Sequence, residues 1–378
     1  MFALKDRTIF LALAGSQAHG TAREGSDVDL RGVCVAPESL RLSLFRSFEQ
    51  YEGALPEGLA ELAQPKLAER ADLRGALDVK AECVVFDVAK FLRLCAVANP
   101  SALEVLFADE RDWLFAAPAW RLIHDARERF LTKKVHHTFH GYAMAQLKKI
   151  RSHRAWLLSP PKAAPTRSEF GLPDGVAALS RDDRNRLEKA VADKVRGFLI
   201  DDVEMPKAAR IAVKERVTDF YMEVLAASEE DLNDQLRAVA THTLSLPADL
   251  VRTLNAERHY RAALKHWNAF QAWKTDRNPA RAELERRYGY DTKHAMHLVR
   301  LMRMGLEVLE TGALRVRRDD AAELLAIRDG ALSFDALLAE AERLEGAMQR
   351  AAEGTSLPAD VDSGFVDTLC LNVIHALR

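Results

Sequence analysis

Two hydrophobic periodicities divide the chain. Up to about residue 112, short apolar runs of strand length alternate with polar breaks. Beyond it, apolar positions recur near i, i+3 and i+4, the period of an amphipathic helix. Residues 8–15 read as a first strand that ends in Gly15-Ser16, and Asp27–Val35 as a second. Pro37 begins a loop, and the mixed stretch Leu40 to Glu52 has room for an edge strand. Gly53 to Leu77, rich in Ala, Leu, Glu and Arg, reads as one or two short surface helices inserted in the sheet. Val79 to Val88, dense in β-branched and apolar residues, predicts a strand beside the Asp27–Asp29 strand.

Ala89 to Phe107 follows as a helix, a break at Asn99-Pro100, and a second helix from Ser101. Glu104, three residues on, completes a capping-box pattern. From about Trp113 the reading is helical: Trp120 to Phe130 and Thr138 to Leu158 first. Ser159 to Asp174, with four prolines, breaks the pattern as an ordered loop or linker. Arg181 to Ile200, Ala208 to Ala227, Leu232 to His242, Leu250 to Lys274, Pro279 to Tyr288, Asp291 to Glu310, Asp320 to Ile327, Phe334 to Ala352 and Phe365 to Leu377 continue the helical series. The expected organisation is α+β: a sheet-bearing domain over residues 1–112, then a mainly helical region over 113–378, with a loop or linker near 159–174.

The chemistry concentrates between Leu13 and Val35. Side chains alternate along a strand, so Asp27 and Asp29 of Ser26-Asp-Val-Asp share one face. Two carboxylates a pleat apart suit divalent cations held through oxygen. The Gly15-Ser16 turn can offer N–H groups and a hydroxyl to phosphate oxygens. A two-cation site also wants a third carboxylate. Asp78, Glu82 and Asp87 are the candidates. Glu82 is favoured because an unpartnered carboxylate inside a strand is costly unless it meets a cation, whereas Asp87 is placed to cap a helix.

Two further stretches carry charge. After a capping Asp291, Lys293, His297 and Arg300 fall on one helical face with His294 at its border, and Leu298, Leu301, Met302, Leu306 and Leu309 supply the buried side. Such a face calls for an anion, a triphosphate or an RNA phosphate. Arg121 to Arg154 holds nine Lys/Arg and five His against two acidic residues, with Phe130, Phe139 and Tyr142 interleaved, a pattern suited to nucleic acid.

Composition narrows the classes. With 378 residues and a net charge of −2, no global field draws the chain to nucleic acid or membrane, so any such affinity is local. The four cysteines, Cys34, Cys83, Cys95 and Cys370, lie in apolar runs without C-x-x-C spacing. They read as reduced core residues rather than a disulfide frame or zinc site. The start, with Lys5, Asp6 and Arg7, is unlike a signal peptide, and no apolar run reaches membrane length. The expectation is a cytoplasmic protein.

Gly-Ser, Gly20, then Ser-Asp-x-Asp resembles the signature of the DNA polymerase β-type nucleotidyltransferase superfamily. The order GSQAHG…SDVDLRG, FDVAKFLRLCAVANPSALEVLF, FHGYAMAQLKKIRSHRAWLL and RNPARAELERRYGYDTKHAMHLVRLMRMGLEVL is similar to the RlaP/YcgL-type nucleotidyltransferases. That resemblance implies a polymerase β-like mixed sheet with helices, followed by a mainly helical region. It implies transfer of NMP from an NTP to a hydroxyl, with release of pyrophosphate and two Mg²⁺ (Mn²⁺ as substitute). By it, Gly15 and Ser16 match the phosphate-binding turn beside Ser26, and Asp27 and Asp29 match the metal pair. The third acid falls at or near Glu82, and Asp291 to Arg300, with Lys293, His294, His297 and Arg300, matches a block read as substrate-binding. His19 and Arg31 fall in the motif block without an assigned role. The family's association with RNA-repair ligases makes an RNA end, tRNA-like or nicked, the leading acceptor. Nucleotidylation of a protein or small molecule is the alternative, and a catalytically inactive nucleotide- or RNA-binding module a third reading.

Overall fold

The computed structural model describes residues 2–70, 81–174, 181–198, 200, 207–226, 244, 248–275 and 279–377. Five strands form one mixed sheet: β1 Thr8–Ala14, β2 Asp29–Cys34, β3 Gln50–Ala54, β4 Glu82–Asp87 and β5 Trp113–Ala116. Their spatial order is β3-β4-β2-β1-β5. β2 runs antiparallel to β1 and parallel to β4, while β3 and β5 close the two edges antiparallel to β4 and β1. The described helices are α1 Gly15–His19, α2 Glu38–Arg41, α3 Glu57–Glu69, α4 Val88–Ala96, α5 Pro100–Leu106, α6 Pro118–His124, α7 Lys134–Leu158, α8 Arg181–Gly197, α9 Lys207–Ala226, α10 Ala248–Thr275, α11 Pro279–Tyr288, α12 Thr292–Thr311, α13 Ala321–Arg328, α14 Phe334–Gly354 and α15 Ser363–His375.

The sheet is covered on both faces, which is why β1 is apolar from Ile9 to Ala14 and why Val33 and Cys34 of β2 are both buried. On one face Leu11, Leu13, Leu30, Cys83 and Val85 meet Leu59, Ala63 and Leu67, which line one side of α3. On the other, Phe10, Ala12 and Val33 join a larger core with residues of α4 to α7, α12 and α14. The central helix of that layer is α12, and Gly305 lets it approach its neighbours closely. A Cβ there would stand 2.7 Å from Met348 Cε and 2.9 Å from Phe139 Cβ.

The chain divides into two compact units, Met1–Leu158 with Pro279–Arg378, and Ser159–Asn278. The second unit is helical. Leu187, Val191, Val195, Tyr221 and Leu250 form its core. The proline-rich stretch packs within it: Phe170 lies edge-on to Tyr260 at 5.8 Å, and Arg167 donates to Glu257 at 3.2 Å.

Several expected elements differ in detail. Trp113–Ala116 is an edge strand rather than the start of the helical series, held by its register with β1 and by Trp113 Nε1 donating to the Ala108 carbonyl at 3.0 Å. The second helix after the Asn99 break begins at Pro100. Asn99 is its cap, accepting from Ala102 N–H at 3.2 Å, because proline at the first helical position needs no acceptor. Regular pairing in β2 and β4 begins at Asp29 and Glu82. The expected helix at 232–242, the tail of 53–77 and the residues just before Ala81 lie outside the described residues.

Candidate active site

β2 is paired so that one acidic position falls beside another. Asp29 stands opposite Ala14 of β1 and beside Glu82 of β4. Neighbouring strands are about 4.8 Å apart, so these side chains share one face at ligand-sharing distance. The alternation continues outward: Val28 and Leu30 are buried on the α3 side, while Asp27 and Asp29 turn to the other face. Glu82 N–H donates to the Val28 carbonyl at 3.2 Å, so the pairing of the two strands begins at this pair of acids. The side chains of Asp27, Asp29 and Glu82 make no hydrogen bond or ion pair among the described residues.

Gly15 closes the site from the β1 side. It has a left-handed φ of +58°, and a Cβ there would lie 2.3 Å from Asp29 Oδ2. Only glycine lets the turn and the carboxylate occupy this space. Ser16 follows on α1, half-buried, its hydroxyl without a partner among the described residues. Ser26 has local work: its hydroxyl accepts from Arg23 N–H at 2.8 Å and closes the turn before Asp27. Of the alternatives for the third acid, Asp87 is committed. Its two oxygens accept from Ala36 N–H and Ala89 N–H, both at 3.0 Å, capping α4. Asp78 lies outside the described residues.

The fold brings α12 to this face, and the predicted residues on it have different surroundings. Lys293 lies within electrostatic reach of Asp27 and Asp29. Burial pushes its ammonium pKa down, Arg281 and Arg328 add to that, and the two aspartates oppose it. His297 is pushed down to about 2, by burial first and then by Arg300, His19 and Lys293, so it is neutral. Arg300 is buried and paired with Glu104 of α5. Glu104 Oε2 also lies 3.2 Å from Nε2 of the buried His19 on α1. Burial would raise the Glu104 carboxyl, but Arg300 and His19 together hold it well below the usual carboxylate range. The pairing ties the motif helix to the helical layer through a residue, Glu104, that sequence reasoning took for a capping partner. Its signal was a carboxylate on the buried side of an amphipathic helix.

His294 stands apart from Lys293, beside Asp291 and His153. Asp291 is fully buried. Its Oδ1 accepts from His294 N–H at 3.1 Å, and its Oδ2 lies 3.1 Å from His153 Nδ1 and is paired with Arg281. The ligand atoms of His153, Asp291 and His294 all lie within 4.8 Å of one another. A guanidinium on the same oxygen opposes a cation there, and the arrangement reads as a buried, fully used helix cap. Burial first, then Arg281, His153 and Lys149, lower His294 to about 4, with Asp291 opposing.

Hard carboxylate oxygens without a hydrogen bond or ion pair among the described residues, beside a notch that a single Cβ would fill, fit divalent cations of the Mg²⁺ kind. This arrangement lies within one family's span: residues 3–157 match the family described as "RlaP: RNA repair pathway DNA polymerase beta family". The N-terminal region is RlaP-type. The RlaP match covers Gly15, Ser16, Asp27, Asp29, Glu82, His19 and Glu104, and leaves Lys293, His294, His297 and Arg300 outside it. No curated protein and no solved structure matches the chain. The RlaP description joins polymerase β-type nucleotidyl transfer to RNA repair. No described helix is long and apolar enough to cross a membrane.

The basic segment Arg121 to Arg154 is partly spent internally. Arg121 pairs with Glu110 at 3.1 Å, His140 with Glu345 at 2.9 Å, and Arg154 donates to the Gly289 carbonyl at 2.7 Å. Lys148, Lys149 and Arg151 are exposed positions of α7.

Proposed function

We propose that this protein is a metal-dependent nucleotidyltransferase that moves NMP from an NTP to a hydroxyl at an RNA end. The observation that carries the reading is the trio Asp27, Asp29 and Glu82: three carboxylates at the start of adjacent strands, without a hydrogen bond or ion pair among the described residues, with Asp29 against the Gly15 notch. Asp27, Asp29 and Glu82 would hold the divalent cations, which when bound neutralise the triphosphate and make the acceptor hydroxyl easier to deprotonate. The Gly15-Ser16 turn presents its free hydroxyl to the phosphates. Lys293 supplies positive charge across from the aspartates and disfavours loss of bound anion. The acceptor oxygen attacks the α-phosphorus, the bond from that phosphorus to the bridging oxygen breaks, and pyrophosphate leaves. The sheet fixes the acids before substrate arrives, so little reorganisation is needed.

An RNA acceptor is favoured by the RNA-repair description of the family and by Lys148, Lys149 and Arg151 on the exposed side of α7. A reduced cytoplasmic setting agrees with the free cysteines.

The test uses purified protein, Mg²⁺, each α-³²P-labelled NTP, and a mixture of tRNA, nicked RNA and cell protein. Label moving to RNA, and lost in Asp27→Ala/Asp29→Ala, is expected. Label moving to protein redirects the acceptor. Transfer that survives the double substitution removes this face from the chemistry.

A further inference from the structure

One cation near this site was not singled out by the sequence pattern. Arg328 is the last residue of α13. That helix lies along the segment joining the Gly15-Ser16 turn to the aspartates. At its start, Ala321 Cβ is 3.7 Å from where a Gly20 Cβ would stand. At its end, Arg23 donates to the Leu325 carbonyl at 3.4 Å and pairs with Asp329 at 2.6 Å.

Four cations from four segments gather here: Arg23, Arg281, Lys293 and Arg328. Each of the last three lies within electrostatic reach of another of the four. Arg23 is paired with Asp329, and Arg281 with Asp291 and Glu285. Lys293 and Arg328 are half-buried, yet neither makes a hydrogen bond or ion pair among the described residues. Burial and neighbouring cations push both pKa values down, with Asp329 opposing at Arg328. Half-buried like charges without a partner are costly. Asp27 and Asp29 offset Lys293, but carboxylates that hold cations no longer do so. Asp329, Asp291 and Glu285 answer part of the charge, and an anion would balance the remainder at Lys293 and Arg328.

We propose that Arg328 acts with Lys293 as the anchor for the terminal phosphates of the NTP. The guanidinium fork suits two phosphoryl oxygens, and the ammonium serves as a point charge between the fork and the aspartates. The inference rests on the nucleotidyltransferase reading of the Asp27–Asp29 face. The triphosphate is favoured over an RNA phosphate because α13 is attached along the motif loop itself, and Lys293 faces the aspartates.

The probe is inorganic tripolyphosphate, which carries no base, titrated calorimetrically into the full chain with Mg²⁺. Arg328→Gln is expected to weaken binding roughly tenfold, with Arg328→Lys recovering part of the loss and thermal unfolding unchanged in both. Equal binding by Arg328→Gln overturns the assignment. So does a loss seen only with a 5′-phosphorylated RNA oligonucleotide, or a loss that follows a lowered melting temperature in both variants. The labelled-NTP assay separates the two levels. A wild-type protein that transfers nucleotide, beside an Arg328→Gln variant that binds tripolyphosphate normally, rejects the anchor and keeps the enzyme. Absence of any transfer rejects the enzyme, while Arg328-dependent tripolyphosphate binding would still stand as a polyanion site.

Discussion

Asp29 and Asp291 each stand at the start of a regular element, one the first residue of β2, the other the N-cap of α12. Their carboxylates are used in opposite ways. Asp291 is fully buried, with His153, Arg281 and the His294 N–H on its oxygens. Asp29 sits beside Glu82 and near Asp27, half-exposed and without a partner among the described residues. A carboxylate whose oxygens are consumed by the fold stabilises it; unpartnered carboxylates set side by side weaken it and must be kept for something else.

The two carboxylates answer substitution in opposite ways. Asp29→Asn is expected to lower nucleotide transfer about a thousandfold or more while leaving urea unfolding unchanged or slightly more resistant. A clear loss of stability with activity retained would reverse the roles. Asp291→Ala should do the opposite, costing about 3 kcal/mol or more, because it removes the buried carboxylate that Arg281 and His153 share and uncaps α12. Equilibrium urea unfolding reads it, and a cost under about 1 kcal/mol would show that Asp291 does not hold the fold.

Gly15→Ala sharpens the contrast from the backbone side. The left-handed φ costs about 1 kcal/mol with a side chain, and the new Cβ must push the Asp29 carboxylate aside. Transfer should fall about a hundredfold against that modest stability loss. Activity within twofold of wild type would mean that the Asp29 carboxylate does not need its place in the notch.

What the sequence made legible was whatever has a local period. Asp27 and Asp29 share a face because strands alternate, and the Asp291 cap and the helix after it follow from spacing alone. The fifth strand was missed because a four-residue run between Asp112 and Pro118 has too few positions to show a period, and only its pairing with β1 defines it. Ser101 lost the cap to Asn99 through the proline between them. Glu104 showed only as a carboxylate on the buried side of a helix, and Arg328 had no local signal. Glu104 is defined by Arg300 and His19 on other elements, and Arg328 by cations that other segments bring to it. The packing of Pro279–Arg378 with Met1–Leu158 is of the same kind.

The smallest effect distinguishes the neutral histidines from the ion-paired acids. Burial is the first cause of lowered pKa at His19, His294 and His297, with nearby cations adding to it. A histidine whose folded pKa lies below its unfolded value of about 6.5 binds fewer protons when folded. Its contribution is complete above the unfolded pKa and is lost as pH falls toward the folded one. For His294 that window runs from about 6.5 down to about 4. His297 and His19 act in the same direction, and each histidine contributes at most about 1.4 kcal/mol per pH unit. Glu104 and Asp291 are also depressed, but their contribution is lost only as pH falls through the usual carboxylate range and below it. Urea midpoints should therefore begin to fall below about pH 6.5, before Glu104 and Asp291 contribute. His294→Gln should flatten that limb by close to one proton, and Asp29→Asn should leave it untouched. A midpoint that stays level down to about pH 5 would mean that these histidines are not held neutral by the fold.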